Sequence, residues 1–175
     1  KNITTMKKLT KTLALTAFLL CGLNANAQNF ELPENYQLKN ESDYAKYEPT
    51  VLEAIDWLMN TPVIDQKNKR KDVNAFVTKW IMGSPTVSIE ISQKNMKFFE
   101  SENKGLMLVF MMGWTKYSIS TKDYNNKLMG NLSGVEALID FYQNNKNYIQ
   151  KEKNIEKYIK LQSQGKLKDF VEKNI

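Results

Sequence analysis

The chain has no histidine, and its single cysteine, Cys21, falls within the first 27 residues. These two absences exclude much of enzyme chemistry. Ser-His-Asp triads, Cys-His dyads, histidine acid–base catalysis and Cys/His zinc sites need side chains that residues 28–175 do not contain. Disulfide and thiol redox chemistry is excluded from the same stretch. No apolar run reaches the roughly 20 residues that cross a bilayer as a helix. We therefore expect no metal, no cofactor and no membrane span.

The first 27 residues have a secretory pattern. Met6 reads as the start, with Lys1 to Thr5 as an upstream extension. Lys7, Lys8 and Lys11 form a positive segment, and the apolar run Thr12 to Leu23 comes next. Ala25-Asn26-Ala27 then places small residues at the two positions a signal peptidase reads. Cleavage is expected between Ala27 and Gln28, with delivery to the periplasm or the exterior. Lipidation at Cys21 is disfavoured, because Leu20 occupies the preceding position where a small residue belongs.

Removing this leader changes the charge balance. The whole chain carries 25 Lys+Arg and 19 Asp+Glu, a net charge of +6. Four of the lysines and none of the acids lie in residues 1–27, so residues 28–175 carry 21 − 19 = +2. So small a charge is no signature of nucleic-acid binding. The remaining 148 residues suit one domain, large enough to fold without disulfides.

Helical periodicity dominates the rest of the chain. Residues 28–45 read as an irregular lead-in, with Pro33 and the polar cluster Asn40-Glu41-Ser42-Asp43, and residues 46–175 as an α-helical domain. Val51, Leu52, Ile55, Leu58 and Met59 share one helix face, with Pro49 in the first turn and Thr61-Pro62 as the stop. Asp65 is the expected N-cap of a second helix with the stripe Val73, Phe76, Val77, Trp80 and Ile81. Gly83 suits a left-handed helix terminus, and Ser84-Pro85 suits the start of another element. Residues 86–91 alternate like a strand, but the Ser-Pro start and the lack of a partner favour a helix continuing through Met96 and Phe99.

Leu106 to Met112 is apolar without interruption and reads as a central buried helix. After a four-residue break beyond Ser118, Asp123 is the expected cap of a helix carrying Leu128, Leu132, Val135, Leu138, Ile139 and Tyr142. Gly130-x-x-x-Gly134 on it would allow close helix packing. Ile155, Tyr158 and Ile159 mark a shorter helix, and Gly165 precedes a last turn with Leu167, Phe170 and Val171. No repeat period emerges. The fold expected is all-α, a single-domain bundle or helical-hairpin array of about six helices.

Few residues stand out as functional. Glu53 with Asp56, and Glu136 with Asp140, read as solvent-facing pairs on polar helix faces. Ser101-x-x-Lys104 and Ser163-x-x-Lys166 match a serine–lysine spacing at about the frequency chance supplies. Lys67, Lys69, Arg70 and Lys71 form a basic run where the helix dipole disfavours cations. Glu90 is placed to point inward toward a lysine or the Tyr117 hydroxyl, as a candidate ligand contact. Trp80, Trp114 and Tyr117 are the candidate partner-binding anchors.

Together these features favour a non-catalytic interaction module of the cell envelope, holding a protein or peptide between helices. The alternatives are a self-associating envelope stress or structural protein, and a carboxylate-based hydrolase.

Overall fold

The computed structural model describes residues 30–93 and 100–174. Among these described residues six helices succeed one another: α1 (Glu41–Asn60), α2 (Lys67–Gly83), α3 (Leu106–Thr121), α4 (Lys127–Asn145), α5 (Lys153–Ser163) and α6 (Leu167–Glu172). The described residues contain no strand, so the protein is all-α as its periodicity predicts. No helix among them is long and apolar enough to cross a membrane.

α1 begins earlier than its apolar face suggests. The Asp43 carboxylate accepts the backbone N–H groups of Lys39 at 2.9 Å and Asn40 at 3.0 Å, holding the chain at the helix entrance. The cluster Asn40 to Asp43 is therefore cap chemistry rather than an irregular stretch. Pro49 lies inside the helix instead of in its first turn and removes the intrahelical donor to Ala45. α1 ends at Thr61, as expected. Residues 30–40 have no regular structure, yet Phe30 and Leu38 are buried. Phe30 lies against Trp57, and Tyr36 meets Phe76 edge-on with centroids 4.8 Å apart.

α2 buries the predicted stripe, Val73 through Ile81. Its N-cap is Gln66, in the left-handed region at φ 47°, rather than Asp65. Gly83 is the last helical residue and has no positive φ. Its small size serves packing instead, since a Cβ there would meet the hydroxyl end of Tyr44. Ser84 starts no helix. Its Oγ accepts from Thr86 N and Val87 N, which makes a local turn. Residues 87–92 are neither helix nor strand, so the helix expected over 86–91 is absent. The alternation there is real: Val87 is buried and Ile89 half-buried, while Ser88 and Glu90 face out. No neighbouring strand pairs with the segment among the described residues. The expected continuation through Met96 and Phe99 lies outside the described residues.

α3 is the central helix, packed on α1, α2 and most extensively on α4. It runs on to Thr121, beyond the break expected after Ser118. α3 and α4 run antiparallel, with Phe110 against Gly134 and Trp114 against Gly130. Gly113 faces the Ser133 carbonyl and Ala137. A side chain at any of these three glycines would collide with the opposite helix, so the backbones approach as closely as Gly130-x-x-x-Gly134 suggests. Asn126, not Asp123, caps α4, its Oδ1 accepting from Met129 N at 3.1 Å. Asp123 instead accepts from the Tyr117 hydroxyl at 2.7 Å and from Asn126 Nδ2 at 2.9 Å, closing the α3–α4 turn. α5 and α6 cover the other flank of α4.

Candidate functional site

A groove of about 480 Å³ opens between α1, α3 and α4. Its size falls within the range of small-ligand and peptide sites. Two features of the helices create it. Gly113, Ser133 and Ala137 are too small to fill the surface where α3 and α4 meet. Ile55 and Met59 of α1 supply an apolar wall beside them.

The rim is charged. Asp56 comes from α1, Lys116 from α3, and Glu136 and Asp140 from α4. Lys116 donates to Asp56 across the groove, so the one cation is already paired. Neither Glu136 nor Asp140 has an ion-pair or hydrogen-bond partner among the described residues. Desolvation raises the pKa of Glu136, and the neighbouring Asp140 adds to it. Desolvation also raises Asp140, with Lys116 opposing. Asp56, Glu136 and Asp140 form no cluster able to hold a metal ion, and none occurs elsewhere among the described residues.

The expected anchors fall largely elsewhere. Trp80 is 0 % exposed and its Nε1 donates to the Tyr44 carbonyl at 3.0 Å, which locks α2 onto α1. Trp114 is also buried, stacked edge-on with Phe110 and lying over Gly130. Both sit at core positions of their helices, so neither can reach a partner. Tyr117 does line the groove, but its hydroxyl is held by Asp123, and that bond raises its pKa. Glu90 is 59 % exposed and forms a surface pair with Lys127 at 2.6 Å. It therefore finds a lysine, as expected, while pointing outward rather than in.

Neither serine–lysine match brings its two residues together as a pair. The Ser101 hydroxyl donates to Glu152, and Ser163 Oγ donates to the Lys160 carbonyl at 2.9 Å. In the basic run, Arg70 has a structural task. Its guanidinium donates to the carbonyls of Leu58, Thr61 and Pro62, at the C-terminal end of α1. The negative end of one helix dipole thus holds a cation at the positive end of the next. Lys69 and Arg70 also lie over the Trp57 ring, at 5.1 and 5.6 Å.

Of the pair read as solvent-facing, Asp140 is exposed as expected, while Glu136 is half-buried at the groove. Glu136 and Asp140 are polar positions on an amphipathic helix, which ordinarily means solvent. The signal for something else is the small residues around them, Ser133, Gly134 and Ala137, which mark a shallow helix surface. These features together define a small all-helical protein with an acid-rimmed groove. No protein family, curated protein or solved structure matches the chain.

Proposed function

We propose that this protein is an exported, non-catalytic binding module of the cell envelope, and that it holds a partner protein or peptide in the groove between α1, α3 and α4. The observation that carries this reading is an apolar-walled groove in which half-buried Glu136 has no partner among the described residues, with exposed Asp140 beside it on the rim. Buried or partly buried charges are ordinarily paired, because desolvating them costs free energy. A like-charge pair four residues apart on a helix adds to that cost. A bound partner would offset both.

The export half of the reading rests on the Lys7-to-Ala27 pattern. Phe30, three residues after the expected cleavage point, is already part of the core.

The carboxylate-based hydrolase is the weaker reading. General acid–base pairs need environments that drive their pKa values apart. Desolvation raises both Glu136 and Asp140, and those directions assign neither of them the role of acid or of base.

Site-specific photo-crosslinking tests the proposal. A photoreactive residue at Ser120 or Gln143, on the groove, should form a discrete adduct in the envelope, and one at exposed Met82 on α2 should not. Filling the groove with Ser133→Trp should abolish the adduct. Equal labelling from Met82, or labelling indifferent to Ser133→Trp, would remove the groove from the proposal. N-terminal sequencing of the exported protein should begin at Gln28.

A further inference from the structure

The groove has a sign as well as a shape, and both constrain what can enter it. Resting on the groove reading, we infer that its occupant is an extended peptide segment carrying a lysine or arginine side chain. Three carboxylates, Asp56, Glu136 and Asp140, share the groove with one lysine, Lys116, which leaves a local charge of −2. The body around it is slightly positive, since residues 28–175 carry +2. A cation is therefore drawn to this groove in preference to the rest of the surface.

The shape favours a peptide over a small amine. The lining runs along α4 from Ser133 to Asn144. At 1.5 Å per residue that is about 16 Å, the length of roughly five extended residues. Ile55, Met59 and Ala137 offer apolar contact along that length, while Gln143 and Asn144 at one end can bond a peptide backbone. The charged groups facing Glu136 and Asp140 from the packed elements are Asp56 on α1 and Lys116 on α3, with the Tyr117 phenol beside them. An incoming ammonium or guanidinium would supply the partner that half-buried Glu136 lacks among the described residues, with exposed Asp140 as a second anion beside it. It would also favour their ionised form, so binding should strengthen as pH rises through the carboxylate range and level off above it.

The test uses three labelled, N-acetylated, amidated heptapeptides in fluorescence anisotropy with the purified protein. One alternates leucine with lysine, one replaces lysine by glutamine, and one replaces it by glutamate. The lysine peptide should bind about tenfold more tightly than the glutamine peptide, as a charge-assisted contact implies, and the glutamate peptide should not bind. Glu136→Gln and Asp140→Asn should each weaken the lysine peptide several-fold, while Lys116→Gln should strengthen it. Circular dichroism would check that each variant is folded. Equal binding of the lysine and glutamine peptides, both blocked by Ser133→Trp, would overturn the cation preference and leave the groove reading standing. Lysine-peptide binding that ignores Glu136→Gln and Asp140→Asn would place the contact elsewhere and overturn the inference. A concentration-dependent dimer in sedimentation that excludes the peptide would overturn it in favour of a second copy as occupant.

Discussion

The two helical hairpins of this protein are held together by opposite means. α3 and α4 meet through what their side chains lack: Gly113, Gly130 and Gly134 let the backbones close on Phe110, Trp114 and Ala137. α1 and α2 meet through large groups: Trp80 bonded to the Tyr44 carbonyl, the rings of Tyr47 and Phe76 with Tyr36 of the preceding segment against both, and Arg70 on the end of α1. One interface fails when atoms are added and the other when atoms are removed. The groove is a product of this contrast, because helices that touch through glycine and alanine leave a shallow surface on the flank that α1 does not fill.

The largest expected effect is on the α1–α2 side. Trp80→Ala removes a completely buried ring and its hydrogen bond, and should cost about 3–5 kcal/mol. Urea denaturation would show this as a lowered midpoint. Next is Gly113→Ala on the α3–α4 side. Alanine favours a helix by about 1 kcal/mol over glycine, so added stability is the ordinary result. Here the new methyl would meet the Ser133 carbonyl and the Ala137 methyl, and the net effect should be a loss of about 1–3 kcal/mol. A stabilised Gly113→Ala protein would break the comparison at once.

Arg70→Lys sharpens the α1–α2 half. Lysine keeps the charge but cannot span three carbonyls with a planar fork. The expected loss is about 1–2 kcal/mol, reduced from the full worth of charge-assisted bonds because Arg70 is only half-buried. Equal stability would mean that charge alone, not the fork, holds the end of α1.

The smallest effect concerns pH and has opposite signs in the two regions. The folded pKa values of Glu136 and Asp140 are raised, so the native state binds more protons there than the unfolded chain does. Their ionisation therefore subtracts stability as pH climbs through their titration range. Glu136→Gln should raise stability at neutral pH by about 0.2–0.5 kcal/mol, the size of a like-charge helix pair, and the gain should vanish in acid. Asp43 behaves in reverse. The backbone N–H groups of Lys39 and Asn40 lower its pKa, so its contribution is present above the ordinary carboxylate range and fades as pH falls. Thermal melts of Glu136→Gln and Asp43→Asn across acid to neutral pH should diverge in opposite directions from the parent.

Helix identity is legible because apolar spacing reports which face is buried, and the stripes on α1 through α6 are those that pack. Gly130-x-x-x-Gly134 is legible for the same reason, since its meaning is local to one helix surface. Helix starts are less so. Asn40 to Asp43 carries no apolar period, and whether a polar residue caps a helix depends on backbone angles that spacing does not encode. Ser84-Pro85 has the composition of a helix start and folds as a turn. The groove is least legible of all. A carboxylate on a polar face looks the same whether water or another helix lies beyond it, and only the placement of α1 across α3 and α4 distinguishes half-buried Asp56 and Glu136 from an ordinary wet surface. Trp80 and Trp114 show the converse, since large aromatics at core positions are the residues least able to meet a partner.

Arg70 has a consequence for how the molecule opens. The last turn of a helix is ordinarily its weakest part and unravels alone. Here the Leu58 carbonyl in the last turn of α1, with those of Thr61 and Pro62 just past it, is gripped by a side chain rooted in the first turn of α2, so the end of one helix cannot loosen while the start of the next stays put. Backbone amides near Trp57 to Thr61 and those opening α2 should exchange with deuterium as one cooperative block.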